Sequence, residues 1–241
     1  MSGPDLLADL SESLVKRRPA AGPLIVGLTG AVAAGKSTFA DQLSAALANR
    51  SLKVETLNTD GFLWPNADLT AKGILDQKGF PPSYDLEGLH GSLRAIRQGP
   101  IQVPTYSHGI YDIDPTLTRT LAPPDILLVE GLSLNHRAAR GLEADPLDVL
   151  IYLDADEADL EAWYVHRFMG LWEAAEHDPT SFYARFRAMS RTDTEALARQ
   201  VWTQVNLRNL RENIVHARDH ADVIVTKGPD HALMRLESRQ A

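Results

Sequence analysis

Residues Gly30-Ala31-Val32-Ala33-Ala34-Gly35-Lys36-Ser37, followed by Thr38, form an unbroken G-x-x-x-x-G-K-[ST] pattern. Glycines at this spacing let the backbone turn tightly enough to aim successive N–H groups at phosphate oxygens, and the following helix adds the positive end of its dipole. The pattern therefore predicts a nucleotide triphosphate site spanning Gly30 to Thr38, with Lys36 reaching the β- and γ-phosphates and Ser37 holding Mg²⁺.

Three further charged residues fit the same chemistry. Phosphoryl transfer asks mainly for positioning and charge neutralisation: a phosphate cradle, a metal, an acid to orient and deprotonate the attacking hydroxyl, and a cation over the transferred group. Asp60, in Thr59-Asp60-Gly61-Phe62, is a short carboxylate at the end of a strand and suits the base. Glu130 ends the apolar run Ile126-Leu127-Leu128-Val129 in the manner of a Walker-B acid and suits the metal side; a salt bridge within the cleft is its structural alternative. Arg167, in the aromatic stretch Trp163-Tyr164-Val165-His166-Arg167-Phe168, is the candidate cation, although read alone it is a surface arginine beside core aromatics. Asp154 and Asp156 are expected to cap the helix that follows them. The eight histidines include no H-E-x-x-H, and His108 and His231 lack metal-ligand spacing, which argues against a protein-bound zinc.

The elements that must position these groups read as alternating strands and helices. Leu24 to Thr29 is a buried strand, and Phe39, Leu43, Ala46 and Leu47 lie at helical spacing after Ser37. A second strand runs over 53–58, with Asp60 at its C-terminal edge, where ligands of open parallel sheets bind. The stretch 64–84 shows no periodicity and reads as a long loop, and a helix covers about 86–97. Residues 104–113 form a polar-aromatic segment carrying Tyr106, Ser107, His108, Tyr111 and Asp112. Further strands are expected over 125–131, 149–153 and 223–225, and helices over about 157–172 and 194–216. The resulting fold class is α/β, a P-loop NTPase-type parallel sheet flanked by helices, with a helical lid over about 164–192. Residues 1–241 are expected to form a single domain, with 1–22, including a short helix over about 6–15, as an N-terminal appendage.

Composition narrows the partners. With 32 acidic and 24 basic residues the net charge is −8, so the basic surface of a nucleic-acid binder is missing and a small-molecule substrate fits better. There is no cysteine, which excludes disulfides and thiolate chemistry. No signal peptide or membrane-spanning run stands out, and a cytoplasmic protein is expected. A homodimer is compatible with the sequence, which leaves the oligomeric state open. A nucleotide-dependent switch is the reading from another class, but Thr226-Lys227-Gly228-Pro229 lacks the final acid of a guanine-reading N/T-K-x-D.

Several stretches together resemble the bacterial type I pantothenate kinases, within the uridine kinase and phosphoribulokinase superfamily. They are Gly30 to Thr38, Thr59 to Leu63 with Pro65-Asn66, Lys78-Gly79-Phe80-Pro81 with Ser83-Tyr84-Asp85, Tyr106-Ser107-His108 with Ile110-Tyr111-Asp112, Asp125 to Gly131, Trp163-Tyr164 with Arg167-Phe168, and Asn206 with Asn209-Leu210 and Asn213-Ile214. The resemblance implies transfer of the ATP γ-phosphate to the primary hydroxyl of pantothenate, the first step toward coenzyme A. It implies Asp60 as base, Lys36, Ser37 and Arg167 as phosphate and metal handlers, Tyr106, His108, Tyr111, Tyr164 and Asn206 on the pantothenate side, and His231 near adenine. The chain departs from the pattern at Asp41, where the family has a basic residue, at Ser133, which stands for an asparagine, and at Leu171 and Glu176, which replace aromatics. Those changes keep a kinase with another small acceptor, such as a sugar, nucleoside or glycerate, as the alternative.

Overall fold

A computed structural model describes residues 3–134 and 146–239. Its centre is a six-stranded sheet built from β1 (Leu24–Gly30), β2 (Val54–Asn58), β7 (Ile126–Glu130), β8 (Val149–Asp154), β9 (Val223–Lys227) and β10 (Leu233–Ser238), in the order β10-β9-β8-β1-β7-β2. Between β2 and β7 lie four short strands, β3 (Ile101–Val103), β4 (Tyr106–Ser107), β5 (Asp112–Ile113) and β6 (Arg119–Leu121), paired as two separate antiparallel ribbons. All neighbours in the large sheet are parallel except β9 and β10. Strands covered on both faces should read as continuous apolar runs, and every residue of β1 and β7 is buried.

Helices α1 (Gly3–Lys16), α2 (Lys36–Ala48), α3 (Asn66–Ala71), α4 (Leu86–Ala95), α5 (Glu157–Ala174) and α6 (Arg191–Val201) accompany the sheet. The helical path of α6 continues through two π turns, Trp202–Asn206 and Leu210–Ile214, to His220. Among the described residues no helix is long and apolar enough to cross a membrane.

Three expectations need correction. The segment 1–22 is no appendage as far as it is described, because Leu10 and Leu14 of α1 belong to the main core, each burial worth about 1.5–3 kcal/mol. The stretch 64–84 is not plain loop but holds α3 and two single-turn 3-10 helices, too short to leave a periodic trace. The last expected strand is longer, reaching Lys227, and is followed by β10, whose alternation is obscured by a register shift at Leu233 to Arg235.

The core is divided. The main cluster spans the sheet and its helices, while Val165, Phe168, Met169, Trp172 and Ala198 form a second cluster between α5 and α6, with Tyr164, Tyr183, Phe186 and Leu197 packed against it. That second cluster underlies the segment read as a lid.

Candidate active site

The phosphate loop hangs between β1 and α2. Gly35 has φ 79°, a left-handed conformation in which glycine carries no steric penalty, and a Cβ there would lie 2.7 Å from Lys227 Nζ. Lys36 Nζ donates to the carbonyl oxygens of Gly30 (3.2 Å) and Ala31 (2.9 Å), and Lys227 Nζ donates to that of Ala34 (2.8 Å). Two ammonium groups therefore hold the loop, one from its own helix and one from the end of β9. Burial pushes the Lys36 pKa down to about 8, against the opposing pull of the Asp60 and Glu130 carboxylates. Lys227 escaped the sequence reading because only the lateral pairing of β9 with β8 and of β8 with β1 brings it to the loop.

The acids sit at the C-terminal edge of the same sheet. Glu130 is buried, and Ser37 Oγ lies 2.8 and 3.1 Å from its two carboxylate oxygens. Asn58, its register partner on β2, donates through Nδ2 to Glu130 Oε1 at 3.1 Å. Hydroxyl and carboxylate oxygens suit Mg²⁺, which is commonly held by one or two protein oxygens plus substrate phosphates. Among the described residues no three His, Asp or Glu side chains converge into an all-protein cage. The donor set thus fits a metal that arrives with phosphates.

Asp60 lies two residues beyond β2, in the 3-10 turn Thr59–Phe62. The Asn58 side chain caps that turn, accepting the Asp60 N–H at 2.7 Å. Gly61 lets the turn press against the acceptor-side ribbon, since a Cβ there would sit 2.1 Å from the Pro104 carbonyl oxygen. The buried Tyr84 hydroxyl donates to Asp60 Oδ1 at 3.1 Å, and its pKa is raised well above the ordinary tyrosine value by burial and by that carboxylate.

Facing Asp60 is an aromatic wall carried by β4 and the turn that joins it to β5. The Tyr106 ring lies 5.2 Å from His108 and 6.0 Å from Tyr111, both edge-on. Lys78 Nζ sits over the Tyr106 and Tyr111 rings at 4.8 and 4.4 Å and donates to Asn66 Oδ1 (2.6 Å) and the Tyr111 carbonyl (2.7 Å). Burial lowers its pKa, opposed by Asp112 and Asp60. The 3-10 turn Phe182–Phe186 meets the wall from the other side: Phe182 stacks on Tyr111 at 4.1 Å, and its N–H donates to the Gly109 carbonyl. Tyr164 packs against Trp202, and its pKa is raised by burial, with Asn206 opposing the rise. The π turns carry Asn206 and Asn213, and Asn209, in the α-helical turn between them, donates through Nδ2 to the Gly79 carbonyl at 2.8 Å. Such turns often accompany functional sites, because the extra residue re-aims side chains.

Electrostatics show how far the expected residues converge. The His108 pKa is lowered mainly by desolvation, while Asp60, Arg167, Glu130 and Lys78 all act on it through space; Asp60, Glu130 and Arg167 likewise act on Lys36. The four groups picked from unconnected stretches thus face one space. His231 stands apart from the tyrosines, with φ 64°, stacked at 4.0 Å on Trp163, whose ring also lies 5.5 Å from Lys227 Nζ. Glu176 points outward, its side chain 63% exposed and paired with Arg187. Asp154 and Asp156 do not cap α5 through their side chains: Asp156 makes no cap bond, and Asp154 accepts from Arg218 Nε at 2.9 Å. Asp156 does occupy the N-cap position without the side-chain bond, whereas Asp154 ends β8 and is engaged in an ion pair. Lys78, Tyr84, Asn58 and Lys227 were missed as site residues, and only Lys78 and Tyr84 left a signal, inside the unusual run Lys78-Gly79-Phe80 to Tyr84.

With this geometry in hand, comparison with known proteins is informative. Residues 25–169, well over half of the chain, match the Phosphoribulokinase / Uridine kinase family. A pantothenate kinase of Sorangium cellulosum is 44% identical over 225 residues, covering 90% of this chain and 73% of the relative. A pantothenate kinase of Rhizobium meliloti is 42% identical over 231 residues, covering 90% and 69%. A solved Silicibacter protein described as a fructose transport system kinase superimposes with a TM-score of 0.69 at 27% identity, covering 89% of this chain and 94% of its own. Match length, identity and the shared sheet agree: the chain belongs to the phosphoribulokinase/uridine kinase family.

Proposed function

We propose that the protein transfers the γ-phosphate of ATP to the primary hydroxyl of pantothenate, giving 4'-phosphopantothenate on the route to coenzyme A. The observation that carries the substrate is the identity of 44% to a pantothenate kinase across 90% of the chain. The polar-aromatic wall supports it, because Tyr106, His108, Tyr111, Tyr164 and Asn206 offer hydroxyl, imidazole and amide groups to a ligand with an amide, hydroxyls and a carboxylate. Lys78 adds the cation such a carboxylate needs.

In this reading the loop from Gly30 to Thr38 receives the triphosphate, and Lys36 neutralises charge between its β- and γ-phosphates. Ser37 and Glu130 hold Mg²⁺, which when bound neutralises charge on the phosphate oxygens. Asp60, oriented by Tyr84, accepts the hydroxyl proton as the substrate oxygen attacks. Arg167 supplies positive charge to the transferred group, and His231 with Trp163 borders the adenine. The segment 164–192 covers the acceptor, and residues 1–241 act as one catalytic unit in the cytoplasm.

The experiment is kcat/KM at fixed Mg-ATP for pantothenate against fructose, uridine, ribose and D-glycerate. Pantothenate should lead by more than tenfold. Another acceptor preferred by tenfold would overturn the substrate and leave the kinase chemistry standing.

A further inference from the structure

Five residues are linked in one chain of hydrogen bonds, which passes through the backbone N–H of Asp60 and otherwise through side chains. Ser37 donates to Glu130, Asn58 donates to Glu130 Oε1 at 3.1 Å, Asn58 Oδ1 accepts the Asp60 N–H at 2.7 Å, and Tyr84 donates to Asp60 Oδ1 at 3.1 Å. Ser37 and Glu130 lie on the phosphate side, Asp60 and Tyr84 on the acceptor side. Within this chain Asn58 is the one link between the two. From this we infer that Asn58 is a positioning residue that fixes the distance between the acceptor base and the phosphate-side acid, an inference that rests on the roles proposed above for Asp60 and Glu130.

The chemistry of the carboxamide explains why this residue type stands here. The contact to the Asp60 N–H demands an acceptor, and the contact to the Glu130 carboxylate demands a donor. Asparagine supplies both from one planar group, and its two neighbours determine which end is oxygen and which is nitrogen. Aspartate would cap the turn equally well but would set a second carboxylate against Glu130. Serine would keep the cap while losing the reach to Glu130. Register makes the bridge available, because Asn58 and Glu130 are paired residues of adjacent parallel strands, and Asp60 is the second residue of the turn that Asn58 caps. A strand-end position is therefore shared between two jobs, terminating β2 and tying its exit to the neighbouring strand.

Positioning of this kind should act on the step in which both sides take part. Displacement of a reacting group by about 1 Å costs up to ~10²-fold in rate, so Asn58→Ala is expected to lower kcat by roughly 10- to 100-fold. The acceptor KM, and the Kd of a non-hydrolysable ATP analogue measured by calorimetry, should each stay within about threefold, because neither ligand's own contacts are removed. Asn58→Asp should be slower still, through repulsion between the two carboxylates. Asn58→Ser is the decisive variant: it retains the cap and the fold, and is expected to be nearly as slow as Asn58→Ala.

Wild-type kcat in Asn58→Ser would overturn the inference, since capping alone would then account for the residue. A loss in Asn58→Ala or Asn58→Ser that appears as weaker analogue binding with unchanged kcat would overturn it as well. Asp60→Asn and Glu130→Gln, run alongside, separate the two levels of the argument. If they are slow while Asn58→Ser is fast, the bridge fails and the proposed roles survive; if they are fast, the roles themselves fall.

Discussion

The phosphate loop rests on β1, whose seven residues are all buried, and is held from both sides by lysines that donate to its carbonyls. The polar-aromatic wall, proposed above to hold the acceptor, hangs on β4 and β5, two residues each, and meets a segment, proposed as a lid, whose residues pack in a small cluster apart from the main core. One half of the cleft is therefore a fixture of the central sheet, and the other is an assembly of side chains drawn from a ribbon, a 3-10 turn and a helix. The difference follows from the work each must do. A triphosphate is recognised by backbone N–H groups, which need a rigid frame. An acceptor is recognised by side chains that must admit it and then exclude water, which favours a separately packed cover.

The contrast makes predictions that can break it. Replacing Lys36 with Ala should give the largest effect, a fall in kcat of at least ~10³-fold, as a cation between phosphates is lost. The fold should survive, because the loop is also held by Lys227. A coupled assay with a circular dichroism melt checks both, and normal turnover in a folded variant would end the P-loop reading.

Next comes Asp60→Asn, which keeps shape and loses the basic oxygen. A drop of ~10²–10³-fold in kcat with near-constant analogue affinity is expected. Collapse of analogue affinity instead would move Asp60 to the phosphate side and blur the division between the halves.

A smaller and differently shaped effect should follow Phe182→Ala, which removes the ring stacked on Tyr111 while leaving the sheet untouched. The acceptor KM should rise about tenfold, in line with the ~1–3 kcal/mol carried by an apolar contact of this kind, and nucleotide affinity should not change. Weaker nucleotide binding in this variant would show that lid and loop are not independent.

The smallest effect is expected from Glu176→Gln. Its partner Arg187 is a surface contact, and exposed pairs contribute only about 0–1 kcal/mol, so the acceptor KM should shift by less than twofold. A marked fall in KM would mean that Glu176 turns inward toward a carboxylate when the lid is occupied.

The two halves were also unequally legible in the chain. The loop could be read residue by residue because its conformation is local: glycines with positive φ and a lysine and serine at set offsets lie within eight consecutive residues. Glu130 was readable as an acid ending an apolar strand and Asp60 as an acid just past an alternating one, since parallel sheets place such ends on one edge. The residues proposed for the acceptor came by resemblance, as the stretch holding Tyr106 to Asp112 has no periodicity and its two-residue strands lie below what patterning detects. The expected cap Asp154 failed for a related reason. A local bond predicted from spacing lost to Arg218, 64 positions from Asp154 in the chain.

By itself, then, the sequence determined the phosphate cradle, the parallel sheet behind it and the acids at its edge, because periodic burial and short-range backbone geometry are written in neighbouring residues. Only the tertiary structure decided that Lys227 supports the loop, that Tyr84 and Asn58 grip Asp60, that Lys78 lies over two tyrosines, and that Glu176 faces solvent. Each of those contacts depends on the lateral order of strands or on loops meeting across the cleft. Pairing of that kind is set by the summed packing of the core, and no short window of residues records it.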